Sequence, residues 1–65
     1  MSNESVDIVF EEMVNVLEIE IKLENKDYIL ELITVIKGII QLSNKAFDRL
    51  IMIQELKNIL KEVNL

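Results

Sequence analysis

The sequence predicts an all-α chain: a helical hairpin with a short first helix and a long second one, assembling into an antiparallel four-helix bundle. Three observations predict it. There is no Pro and a single Gly in 65 residues, too little turn chemistry for a β protein of this size. From Leu32 to Val63 an apolar residue recurs at alternating intervals of three and four: Leu32, Val35, Ile39, Leu42, Ala46, then Ile53, Leu56, Leu60 and Val63, with Arg49 the one interruption. Such a repeat keeps one stripe of a helix against a partner helix along its whole length. Finally, 51% of the residues are apolar, and there is no Cys or His to supply a disulfide or a zinc site. A chain this short buries only about 60% of its unfolded surface, so a second chain is the support that remains.

The chain reads as one domain, residues 1–65. A first helix is expected over about residues 5–24. Ser2 or Ser5 can cap it, with Glu4 and Asp7 near its positive end. Val6, Val9, Phe10, Met13, Val14, Val16, Leu17, Ile21 and Leu23 form its apolar stripe, opposite Asp7, Glu11, Asn15, Glu18 and Lys22. Glu18 and Lys22 stand in the favourable i, i+4 order. Leu17 to Glu24 alternates apolar and charged residues, a strand pattern that would make Asn25-Lys26-Asp27 a hairpin turn. The helix prevails because the stripe runs unbroken from Val6 to Ile21 and no Gly supplies the turn's positive φ.

Residues 25–27 are the predicted turn, Asn25 ending one helix and Asp27 capping the next. The second helix, or helix pair, spans about residues 28–63. Ser43-Asn44 is a candidate break, but the seven-residue register passes through it without a slip, which favours one helix about 54 Å long. Beside the main stripe, Ile29, Ile33, Ile36, Ile40, Phe47 and Leu50 widen the apolar face as far as residue 50, after which the column turns to Gln54, Lys57 and Lys61. A first helix folded back at residue 26 would cover the second only to about residue 48, leaving an apolar overhang for another chain. Arg49 would then lie beside Glu4 and Asp7, and Glu20 would reach water from the edge of the core.

The net charge is −5, and residues 1–24 hold seven acidic side chains against Lys22 alone. No cluster of Lys and Arg offers phosphates a footing, so direct nucleic-acid binding is not expected. Without His or Cys, the Ser–His–Asp, Cys–His and carboxylate–histidine di-iron arrangements are excluded, and there is no phosphate-binding Gly-rich loop. Asp7, Glu11 and Glu18 share a face and could hold only a carboxylate-ligated cation; a solvated face is the simpler reading. No cofactor, metal or small-molecule substrate is expected. The longest uncharged stretch, Gly38 to Asn44, falls well short of the roughly 18 residues of a membrane span. Met1 to Ser5 carries no basic segment leading into an apolar one, so no targeting signal is expected and the cytoplasm is the default.

These features predict a small acidic interaction protein that acts as a regulator, adaptor or inhibitor rather than as an enzyme. Leu32, Val35, Ile39, Leu42, Arg49, Ile53, Leu56, Leu60 and Val63 would form its interface with a second copy or a protein target. A further reading, a decoy for a nucleic-acid-binding protein, would use Asp7, Glu11, Glu12 and Glu18. A third comes from a resemblance. The run from Ile40 to Ile51 resembles the signature Leu-Ser-Gln-x-Leu-Asp-x-Leu-Ile of the small helical-hairpin phosphatases that act on sporulation response regulators. It matches at Leu42, Ser43, Asp48, Leu50 and Ile51, with one residue more between Ser43 and Asp48 than the pattern has. Taking Asn44 in place of Ser43 restores the spacing. The resemblance implies an aspartyl-phosphate phosphatase whose functional residue is Asp48, with Ser43 or Asn44 beside it.

Overall fold

The computed structural model describes residues 3–63, with side chains from Ser5 onward. Three helices follow one another: α1 (Asn3–Lys22), α2 (Lys26–Gln41) and α3 (Ala46–Leu60). The all-helical expectation holds, and no strand occurs among the described residues. The single long second helix does not form. The chain turns at Leu42–Lys45, the candidate break, and α3 folds back beside the first two helices. Asp7 and Asp48 share a cleft near one end of α1, and Lys22 and Glu62 share another near its opposite end, so α1 and α3 run the same way. The described part of the molecule measures 33 × 18 × 14 Å.

The first turn is made by an unexpected residue. Glu24, not Asn25, takes the left-handed conformation, at φ 57°. The amide of Asn25 donates to the Glu20 carbonyl at 3.2 Å and that of Glu24 to the Ile21 carbonyl at 3.1 Å. These two bonds close a Schellman motif, which satisfies carbonyls at the end of α1. Asn25 also donates from its side-chain Nδ2 to Oε2 of Glu20 at 3.2 Å, which gives the half-buried Glu20 a partner at the rim. Asn25 is the N-cap residue of α2, while Asp27, expected as the cap, sits in the first helical turn near the positive end of the dipole. At the other end of the molecule Ser5 lies inside α1 rather than capping it, and Ser2 falls outside the described residues.

The second turn uses neither Gly nor Pro. The amides of Leu42 and Ser43 reach back three residues to the carbonyls of Ile39 and Ile40, tightening the end of α2. Lys45, in extended conformation, precedes α3, and its carbonyl accepts from the Arg49 amide.

The core forms where the helices face one another. α1 contributes Val6, Phe10, Val14 and Leu17; α2 contributes Ile29, Leu32, Ile33, Ile36, Ile39 and Ile40; α3 adds only Met52 and Leu56. Of the heptad residues expected to be buried, Leu32 and Ile39 are, whereas Ile53 and Leu60 are half-buried. Ile36 is fully buried at 0% exposure, and Leu30 on the far side of the same helix is 53% exposed. Ile36→Ala is expected to cost about 2–5 kcal/mol through lost transfer energy and a residual cavity. Leu30→Ala should stay within about 0.5 kcal/mol. Urea denaturation of both variants checks the pair.

Glu24 occupies a conformation that a side chain disfavours and Gly adopts freely. Glu24→Gly is therefore expected to raise stability by about 0.5–1 kcal/mol despite the added freedom of the unfolded chain. A thermal or urea midpoint below that of the wild type would show that the Glu24 side chain contributes more than its backbone costs.

Candidate interaction surfaces

The heptad residues do not form one surface. Leu32, Ile39 and Leu56 are buried in the core, and Arg49, Ile53, Leu60 and Val63 are half-buried at its edges. Val35 and Leu42 are exposed. The reason is the break at residues 42–45: it turns the lower half of the stripe back onto the upper half, so much of it is used within the chain. What stays open along α2 and its C-cap is one edge of the stripe itself, Val35 and Leu42, continued one heptad earlier by Tyr28. Tyr28, Val35 and Leu42, seven residues apart, are 42%, 48% and 55% exposed. On α3, Phe47, Leu50 and Ile51 stand outward at i, i+3 and i+4, one helix face. Gly38, one turn below Val35, costs helix stability, yet a Cβ there would meet nothing within 4 Å. No contact within the chain requires a glycine at that position.

The second surface is the acidic seam between α1 and α3. Asp7, Glu11, Asp48 and Glu55 line one cleft over Phe10, Ile51 and Met52. Glu11, Glu18, Glu55 and Glu62 line the next over Val14, Ile21 and Ile59, with Lys22 as its single cation. Burial, and then the charges of Glu11 and Glu18, raise the pKa of Glu55 above its ordinary value. The sequence showed the first-helix acids; it also held the other half of the seam, because Asp48, Glu55 and Glu62 recur every seven residues, as Glu11 and Glu18 do. Glu12, grouped with Asp7, Glu11 and Glu18 in the sequence reading, is exposed but lines neither cleft. Among the described residues no three acidic, His or Cys side chains are grouped so as to hold a metal ion.

The third surface is an open trough of about 630 Å³ between α2 and α3. Ile40, Ile53, Leu56 and Leu60 line it, together with Lys37, Gly38, Gln41 and Lys57, and among the described residues no acidic side chain does. The signal for it in the sequence is the absence of any Asp or Glu from Leu32 to Phe47.

The residues of the phosphatase resemblance are spread over two elements. Ser43 and Asn44 lie in the linker and Asp48 in the first turn of α3. Ser43 is buried, and its Oγ meets no hydrogen-bond partner among the described residues. Asn44 is exposed, and Asp48 is half-buried in the acidic seam beside Asp7. Arg49 is placed by a different contact from the one expected: its Nη1 donates to the Ser43 carbonyl at 2.7 Å, tying α3 to the linker. The Glu4 side chain, its other expected neighbour, lies outside the described residues.

No helix among the described residues is long and apolar enough to cross a membrane. Compared with known proteins, the chain matches no family model, no curated protein and no solved structure.

The raised pKa of Glu55 has a definite sign in stability. Its ionised form is disfavoured in the folded chain, so the native state takes up a proton before the unfolded chain does as pH falls. Glu55→Gln is therefore expected to be more stable than wild type near neutral pH. The difference should shrink as pH falls through the raised pKa and vanish below the ordinary carboxylate range. Parallel urea titrations at several pH values check this, and a variant difference independent of pH would refute it.

Proposed function

We propose that the chain is a small interaction module that self-associates and acts on other proteins as a regulator, adaptor or inhibitor, with no catalysis of its own. The observation that carries this reading is the balance of its apolar side chains. Among the described residues, ten large ones are exposed against twelve buried. A contiguous exposed apolar surface marks an interaction site more often than a scattered one does, and here part of the excess is ordered as the Tyr28, Val35, Leu42 column.

A seven-residue column is self-complementary when two copies of a helix meet antiparallel. With Val35 on the two-fold axis, Tyr28 of one protomer meets Leu42 of its partner, and the contact closes as a dimer without open ends. The α1–α2 hairpins of the two protomers would then form an antiparallel four-helix bundle, with each α3 packed on the outside.

Sedimentation equilibrium tests the arrangement. Wild type is expected to dimerise, and Val35→Lys, which sets two like charges on the axis, to weaken the dimer at least tenfold with an unchanged circular dichroism spectrum. A wild-type protein that stays monomeric at high concentration, or a Val35→Lys variant that dimerises as well as wild type, would refute it.

A further inference from the structure

We propose that the α2–α3 trough is a binding site for an acidic amphipathic helix of another protein, separate from the self-association column on α2. Three features point to this occupant. The first is shape. Ile53, Leu56, Lys57 and Leu60 stand at i, i+3, i+4 and i+7 on α3, the set of positions that one helix offers to another lying alongside. With Ile40 of α2, Ile53, Leu56 and Leu60 form an apolar floor, and a volume of about 630 Å³ takes several aliphatic side chains.

The second feature is charge. The trough has a lysine on each helix, Lys37 and Lys57, and among the described residues no carboxylate lines it. The rest of the chain is acidic: the net charge is −5, and the α1–α3 seam gathers Asp7, Glu11, Glu18, Asp48, Glu55 and Glu62. Carboxylates flanking the apolar stripe of an incoming helix would meet Lys37 and Lys57 on either side. A basic helix would meet like charges there.

The third is an incomplete layer. α3 buries only Met52 and Leu56 fully, while Ile53 and Leu60 on its trough side stay half-buried. A helix laid along the trough would cover both.

The local preference runs against the charge of the whole molecule, and this makes it testable. The probes are two fluorescein-labelled peptides with the same leucine stripe, one with Glu and one with Lys at the flanking positions, titrated into the full-length protein and followed by anisotropy. Net charge alone favours the Lys peptide. The trough is expected to bind the Glu peptide at least tenfold more tightly, and less tightly as salt is raised. Lys37→Glu with Lys57→Glu, both at exposed positions, should reverse the preference while leaving the circular dichroism spectrum and the dimer unchanged. Amide resonances of Ile40, Ile53 and Leu60 should shift on binding, and those of Tyr28 and Val35 should not.

Tighter binding of the Lys peptide by wild type overturns the proposal, as does a Glu peptide indifferent to the double charge reversal. Shifts confined to the α2 column overturn it too, placing the peptide on the self-association surface instead. Saturable binding of dodecanoate with no binding of either peptide would assign the trough to an acyl carboxylate. Sedimentation of the same variants keeps failure here distinct from failure of the dimer.

Discussion

The burial of one side of α2 governs the rest of the molecule. Ile29, Leu32, Ile33, Ile36, Ile39 and Ile40 line that side, and among the described residues half of the buried apolar ones belong to this one helix. α1 packs along it through Val6, Phe10, Val14 and Leu17, and α3 adds Met52 and Leu56. Because the buried residues of α2 face both neighbours, its opposite flank is left to solvent, and the Tyr28, Val35, Leu42 column is the margin of the same apolar surface that makes the core. Core and candidate interface are adjacent strips of one helix, separated by little more than the rotation between positions 32 and 35.

Charge is sorted by the same geometry. The acids of α1 and α3 are brought edge to edge because the two helices run in the same direction, so their seven-residue acidic columns line up rather than cross. The cost falls on Glu55, which lines both clefts of the seam: partial burial and the charges of Glu11 and Glu18 disfavour its carboxylate. The opposite side of α3 carries no acid toward α2 and keeps Lys57 there, across from Lys37. A short helix with one acidic and one basic flank is thus set between two helices, its polarity across the bundle fixed by which side faces α1.

Much of this was legible from spacing. The helical class, the first helix and the break near residue 25 follow from periodicity and from the scarcity of turn residues. Within the second half, Leu32 and Ile39 are buried as the stripe predicts, while Ile53 and Leu60, expected to be buried with them, are only half-buried. The register could not reveal the corner at Leu42–Lys45. Leu42 and Ala46 are four residues apart whether the chain between them is helical or turned, and no Gly or Pro marks the place. The loss of apolar width after residue 50 reads as a helix outrunning its cover, yet in the fold that column of α3 is exposed on both sides of the change, at Phe47 and Leu50 as at Gln54, Lys57 and Lys61. Glu24 was missed because the signal for a left-handed residue is usually Gly or Asn, and Asn25 stood next to it. The acidic seam was half seen, since its α3 members become neighbours of α1 only once the corner is turned.

That corner also has a mechanical meaning. α3 is held by two fully buried side chains, a rim of half-buried ones and the Arg49 bond to the Ser43 carbonyl, whereas α1 and α2 share a long apolar contact. The molecule therefore consists of two units of unequal cohesion. Local opening is cheapest where buried apolar contact is sparse, so the joint between α3 and the first two helices is the weaker of the two, and the corner at Leu42–Lys45 is where the cohesion of the bundle changes.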